Sequence, residues 1–351
     1  SSDLSLLTSP GYESDIKLPA LTSVIPKVVL QFMNIPLALT NEPSPHSMRL
    51  AAGASDGAWP GGVTVLRSDG SGGFLPVQTV KGRTSMATLG GPLYSGPTQV
   101  WDRSGEVYVN MLSGGLSSRT EAQLLSGALN AAAIQNTVTG EWEVFQFATA
   151  ELLGVGSYRL RNLIRGQLGT EHVMRNPYPT GTRVVFLSTT AVVPLAVAKN
   201  VAMANTLYRW GPSNRPTDDD LYVQGSRQGT LAGLRPYSPC DFQIIRNSAN
   251  DNLEFSWKRR TRQGGDNWDA VEVPLSEEVE QYKLEIYNDA GTTLLRTVVT
   301  TSPNYTYTAV NQTTDHGSVQ TDVYVKVYQF GGEYGNYGPP LAGMFYMKGS
   351  I

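Results

Sequence analysis

The stretch Phe255–Tyr287, FSWKRRTRQGGDNWDAVEVPLSEEVEQYKLEIY, decides how the chain is read. It begins as a hydrophobic strand carrying Trp257, then presents four cations: Lys258, Arg259, Arg260 and Arg262. Gly264-Gly265-Asp266 supplies a turn, and an acidic segment with Glu272, Glu277, Glu278 and Glu280 follows. The stretch ends in a second strand, where Tyr282, Leu284 and Ile286 alternate with polar residues and so share one apolar face. Two core strands separated by a charged excursion are a piece of a β-sandwich, an architecture that serves binding and spacing more often than catalysis.

Outward from this stretch the same pattern continues. Strands are predicted over Asp241–Arg246, Leu253–Lys258, Gln281–Asn288, Leu294–Thr300, Tyr305–Thr308 and Asp322–Phe330, with a last one near Met344–Lys348. About seven short strands in roughly 115 residues match an immunoglobulin-like sandwich. We therefore expect a domain over 236–351, reached through a linker over 212–235 that holds Asp218-Asp219-Asp220 and several glycines.

Upstream, residues 27–211 read as a second β-rich domain. Val28–Leu39, Met48–Ala54, Val63–Arg67, Phe74–Val80, Gln99–Trp101, Glu106–Leu112, Tyr158–Glu171 and Arg183–Leu187 are strand-like. SDGSGG at Ser68–Gly73 is a hairpin tip, and Glu141–Phe147 alternates strictly. One helix is expected: Ser118-Arg119-Thr120-Glu121 has the form of a capping box. Leu124, Leu125, Ala128 and Leu129 then fall on one face, and Ala131–Ile134 extends it. The Ser-, Pro- and Thr-rich residues 1–26 read as an extended arm or connector. The fold class is mainly β, a β-rich platform with one packed helix followed by a sandwich.

Bulk properties narrow the function. A net charge of −3 over 351 residues argues against a nucleic-acid binder. Cys240 is the single cysteine, so neither an internal disulfide nor a cysteine metal cluster is expected. No apolar run approaches the roughly 18–20 residues that span a bilayer. His46, His172 and His316 lack metal-like spacing, and Asp218–Asp220 lacks the glycine and distal glutamate of a calcium loop. There is no GxxxxGK[ST] loop. We accordingly expect no catalytic residue, no cofactor and no metal.

Two clusters remain as contact candidates. Arg259, Arg260 and Arg262 could grip a phosphate or carboxylate, since the guanidinium fork suits such anions. The blander alternative pairs them with Asp266, Asp269, Glu272, Glu277 or Glu278. Tyr324, Tyr328, Tyr334 and Tyr337, near GGEYGNYGPP, offer large contact area at low entropic cost. Glu141 and Glu143, flanking Trp142, are where a sugar-cleaving carboxylate pair would be sought; the alternative is an ordinary strand with exposed glutamates.

The domain over 236–351 resembles a fibronectin type III module, with Pro239 at its start, Trp257 on the second strand, Tyr282-x-Leu284-x-Ile286 on the third and Val323-x-Val325-x-Val327 on the sixth. Val323 stands where that family commonly has a corner tyrosine, and Tyr305 or Tyr307 is the candidate substitute. More broadly, WDRSGEVYVNMLSGGLSSRTEAQLLSGAL, GEWEVFQFATAEL, YRLRNLIRGQLGTE and SWKRRTRQGGDNWDAVEVPLSEEVEQYKLEI, in that order, resemble the C-terminal region of the large tail-tip baseplate (hub or central fibre) protein of gene transfer agents and related siphophages. That resemblance implies a non-enzymatic virion component at the distal tail tip, made in the host cytoplasm. It also implies a homotrimer about the tail axis that contacts other baseplate proteins and a host-surface glycan or receptor. The first residue is Ser, which fits a piece of a longer polypeptide. The alternative is a carbohydrate-binding or carbohydrate-cleaving surface protein with a fibronectin-like spacer.

Overall fold

The computed structural model describes residues 27–36, 44–54, 58–127, 129–188, 190–265 and 273–350. The proposed arm over 1–26, the end of the run to Leu39, and Asp266, Trp268, Asp269 and Glu272 lie outside these residues. In chain order, β1 (Val28–Met33), β2 (Arg49–Ala54), β3 (Val63–Ser68) and β4 (Phe74–Val80) come first. Next are β5 (Met86–Leu89), β6 (Trp101–Asp102), β7 (Val107–Ser113), helix α1 (Glu121–Leu125), β8 (Ala131–Gln135), β9 (Trp142–Gly154), β10 (Ser157–Gln167) and β11 (Arg183–Phe186). They are followed by β12 (Val192–Pro194), α2 (Lys199–Met203), β13 (Thr206–Pro212) and β14 (Val223–Arg227). The last part holds β15 (Cys240–Arg246), β16 (Leu253–Lys258), β17 (Tyr282–Tyr287), β18 (Leu294–Thr300), β19 (Asn304–Tyr307), α3 (Ala309–His316), β20 (Asp322–Gly331), β21 (Asn336–Tyr337) and β22 (Leu341–Ser350).

The last part is the expected fibronectin type III-like sandwich. One sheet runs β15-β16-β19 and the other β18-β17-β20-β22, joined at one edge by parallel pairing of β22 with β15. Alternation along β16, β17 and β20 sends Phe255, Trp257, Tyr282, Leu284, Ile286, Val323, Val325 and Val327 into a common core; burial of each large side chain stabilises by about 1.5–3 kcal/mol. Tyr307 is the corner tyrosine. Its hydroxyl donates to Asp315 Oδ2 at 2.8 Å, and Arg296 grips the same carboxylate at 2.7 and 3.0 Å. The acceptor comes from α3, which the sequence reading did not foresee. Thr308 caps its start by accepting from the Asn311 amide, and Gly317, at φ 85°, ends it in the left-handed conformation glycine tolerates.

The same strand order occurs once before. β1-β2-β12 form a three-stranded sheet and β14-β13-β3-β4 a four-stranded one. Val28, Leu30, Phe32, Leu50, Val63, Val65, Tyr208 and Trp210 fill the space between them. In sequence order these seven strands take the places of β15, β16, β17, β18, β19, β20 and β22. The stretch expected to be a linker over 212–235 is therefore partly sandwich. β14 completes the four-stranded sheet by pairing Thr206–Trp210 with Val223–Arg227. The glycine-rich composition concealed a strand because an edge strand with one partner needs little apolar character.

Between the fourth and fifth strands of this first sandwich the chain makes a closed barrel. The pairing runs β10-β7-β5-β11-β8-β9, and β9 returns to β10, with β6 pairing β10 at Leu163 and Ile164, beyond the end of its pairing with β7. Closure leaves these strands without a free edge over the paired region. Val107, Val109, Ile134, Phe145, Phe147, Leu160, Leu163 and Val184 belong to its core. The platform read as one domain over 27–211 thus contains both a sandwich and a barrel.

The expected helix is much shorter than its sequence suggested. Thr120, not Ser118, is the N-cap, exchanging hydrogen bonds with Gln123 at 3.3 and 3.0 Å. Leu124 is buried, but Leu125 and Leu129 are 70% and 44% exposed. Asn130 turns the chain at φ 49°, and Ala131–Ile134 enter β8, paired with β9 and β11. Two ladders of backbone bonds outweigh a helix preference of only about a few tenths of a kcal/mol per residue. No described helix is long and apolar enough to cross a membrane.

Candidate functional site

The charged excursion after Trp257 does not form one anion cradle among the described residues. Arg262 is buried and forks onto Glu277, with Nε and Nη2 at 2.8 and 3.2 Å from the two carboxylate oxygens. Arg259 donates to the Val273 carbonyl at 3.0 and 2.9 Å and to Glu280 at 3.1 Å. Lys258 pairs with Asp241 at 2.8 Å on the surface. Arg260 instead crosses to the barrel, where it meets Glu171 Oε1 at 2.6 Å, and its guanidinium stands 5.3 Å over the Tyr237 ring. Pairing with Glu277 follows the expectation; the role of Arg260 as a tie between units was not legible.

These groups form a seam between the barrel and the second sandwich. Arg262 also donates to the Gly233 carbonyl at 2.9 Å, fastening the segment between β14 and β15. From that segment Arg235 reaches Glu141 at 2.6 Å and His172 at 3.0 Å, and its guanidinium lies 5.9 Å over the Tyr334 ring. Lys199, on α2 of the first sandwich, donates to the Glu333 carbonyl of the second. A Cβ on Gly169 would meet the Tyr237 ring at 2.3 Å, so glycine is what lets the two surfaces close. Burial pushes the Tyr237 hydroxyl up to about 12, against the opposing pull of Arg260 and Arg262. The cleft beside Trp142, Thr170, His172 and Tyr237 encloses about 20 Å³, room for one water molecule and far short of a sugar ring.

The carboxylates that could have flanked a glycosidic bond are separated by their surroundings. Glu141 is committed to Arg235. Glu143, expected on the surface, is fully buried and accepts from Arg165 Nε and Nη2 at 2.6 and 2.9 Å. Strict alternation places Glu143 on the side of Phe145 and Phe147, which is the barrel interior. Asp218–Asp220 forms a turn in which Asp219 Oδ1 accepts from the Leu221 amide at 2.8 Å. Among the described residues no group of three or more His, Cys, Asp or Glu is arranged to hold a metal.

The tyrosines divide. Tyr334 belongs to the seam, whereas Tyr337 joins a platform on the outer face of the second sandwich. There β17 and β20 set Lys283 opposite Tyr328, Glu285 opposite Lys326, and Tyr287 opposite Tyr324. Lys283 lies 4.2 Å from the Tyr328 ring centre and 5.1 Å from that of Tyr337, and Lys326 lies 4.3 Å from that of Tyr287. Glu285 accepts from both Tyr287 and Tyr328 at 2.9 Å. Burial alone would raise its carboxyl, but hydrogen bonds from Lys283, Tyr287 and Tyr328 outweigh that and hold it below the usual carboxylate range. The result is a half-buried tyrosine–lysine surface whose rings are fixed before any partner arrives. A sequence signal existed, since Lys283, Glu285, Tyr287, Tyr324, Lys326 and Tyr328 occupy the polar positions of both alternations.

A second feature escaped the reading altogether. The β9–β10 hairpin ends in Leu152-Leu153-Gly154-Val155-Gly156, with Leu152 and Leu153 62% and 50% exposed and Val155 fully so. Exposed apolar groups clustered at one tip mark a contact point more often than isolated ones do.

Comparison with known proteins locates one resemblance on this geometry. The family model described as "Rcc01698-like, C-terminal" matches residues 84–185, which is the barrel from just before β5 into β11. No curated protein matches the chain. The crystal structure of titin domains A168–A170 is similar with a TM-score of 0.24 at 9% identity, over 92% of this chain and 99% of that one. The chicken CNTN1 FN1–FN3 domains give 0.22 at 10% identity, over 91% and 97%. A tetra-tandem repeat from the extending region of a large adhesion protein gives 0.16 at 12%, over 92% and 74%. At such scores the fold rests on the strand order described above.

Proposed function

We propose that this chain is a structural component of a phage or gene-transfer-agent tail tip or baseplate, contributing to subunit assembly and host-surface attachment. The observation that carries the reading is the placement of the matched family unit, a closed barrel held within the first of two like sandwiches. Tandem sandwiches extend and space. The seam of Arg260, Arg262 and Arg235 stiffens the passage from one unit to the next. The tyrosine platform and the apolar hairpin tip supply outward contact surfaces, and assembly as a homotrimer would multiply weak contacts. Locating the chain in purified particles by electron microscopy tests this, with its position at the distal tail expected. A chain absent from such particles would overturn it.

The platform also favours a second reading, that of a glycan-binding surface protein. Incubation with envelope polysaccharide separates the two: binding without new reducing ends is attachment, whereas cleavage would establish an enzyme.

A further inference from the structure

His172 sits on a 3₁₀ turn (Glu171–Val173) at the seam, and its neighbours fix which nitrogen carries the proton. Nδ1 is 3.1 Å from the Gly169 carbonyl, which can only accept, so Nδ1 bears the hydrogen. Nε2 is 3.0 Å from Arg235 Nη1, which can only donate, so Nε2 presents its lone pair. The seam therefore holds a neutral imidazole. The same Arg235 nitrogen donates to Glu141 Oε1 at 2.6 Å, while the other Glu141 oxygen lies 3.9 Å from Nε2. Among the described residues Glu171 also acts on the ring, and its carboxylate is taken by Arg260.

We infer that protonation of His172 unlatches the segment that carries the second sandwich. A proton on Nε2 turns an acceptor into a donor aimed at a guanidinium 3.0 Å away. The imidazolium then competes for Glu141, whose second oxygen lies 3.9 Å away, and by taking it deprives Arg235 of its counterion. Arg235 belongs to the segment between β14 and β15, and the next residue on from Glu171, which Arg260 grips, is His172 itself. A single proton thus acts on both sides of the seam. Burial first, then Arg235, lowers the imidazole below its ordinary value, with Glu141 and the Gly169 carbonyl opposing. The sign follows: the released state binds the proton more readily, so the latch is fully present above the ordinary value of 6.5 and is lost as pH falls through the lower value of the closed seam.

Hydrogen exchange of the whole chain, corrected for intrinsic rates, tests this over residues 169–175 and 231–237 between pH 7.5 and 5. Protection should fall in both segments together, by about tenfold for each tenfold by which the seam weakens the imidazole's proton affinity. His172→Gln keeps an acceptor for Arg235 but cannot take a proton, and its protection should stay flat. Equal loosening of wild type and His172→Gln would overturn the inference, as would unchanged wild-type protection. If the variant does not fold, titration of the wild-type imidazole by NMR decides: a midpoint below 6.5 supports the latch, and one at or above it ends the idea.

Discussion

Arg165 and Glu143 meet as a two-pronged ion pair inside the barrel, with neither side chain exposed to solvent. Glu143 reinforces the Arg165 cation against the cost of burial. Removing one partner strands the other charge in an apolar interior, so Glu143→Ala should cost about 3–5 kcal/mol. Replacing both together with Met and Leu should cost far less than either single change. Denaturant unfolding of the two single variants and the double variant measures this directly.

The corner of the second sandwich carries a pH dependence of defined sign. Burial would raise the Asp315 carboxyl, but Arg296 and Tyr307 overcome that and hold it below the ordinary 3.8. Its contribution to stability is therefore present above 3.8 and is lost as pH falls through the depressed folded value. Asp315→Asn should flatten the acid limb of the stability curve. Tyr307→Phe should cost about 1.5–3 kcal/mol at neutral pH, as expected for a hydrogen bond to a charged group.

Gly169→Ala should loosen the seam while leaving both sandwiches folded. The added methyl would overlap the Tyr237 ring, and the glycine's φ of 74° disfavours any other residue. Faster exchange over 231–237, with unchanged exchange in β16 and β17, is the outcome to look for.

Tyr328→Ala and Lys326→Glu should weaken binding to host envelopes several-fold while leaving folding largely intact, because cross-strand pairs of this kind contribute only about 0.2–1 kcal/mol each. Binding that is indifferent to both changes would move the attachment surface elsewhere, with the hairpin tip next in line.

Changing Leu152, Leu153 and Val155 to Ser should shift stability by no more than about 0.5 kcal/mol. The same change should reduce association of the chain with its neighbours in reassembled particles. A large loss of stability would mean that the tip packs on its own barrel.

The second sandwich was the most legible part, because alternation there coincides with one buried face. Leu253–Lys258 and Leu294–Thr300 were read with the ends they have. The barrel was not, since closure depends on β9 meeting β10 in register and no composition announces a register. Glu143 shares its alternation with Phe145 and Phe147, which placed it inward, but its partner Arg165 lies 22 residues on and is found only through the fold. The repeat of the sandwich was hidden for a related reason: the barrel separates its fourth strand from its fifth. Arg260 looked self-neutralised because acidic residues follow it in the same excursion, whereas its counterion, Glu171, belongs to another unit.

The two crossings between the first sandwich and the barrel lie against each other. A Cβ on Gly82 would meet Ala191 Cα at 2.8 Å, and Thr84 donates to the Ala191 carbonyl at 3.2 Å. A chain pulled from its two ends would therefore carry tension through β1 and β14, then on through the second sandwich. The barrel would stand beside that covalent line of force, joined to it further on by the Arg260–Glu171 and Arg235–Glu141 pairs, so strain would reach its contact surfaces through that seam.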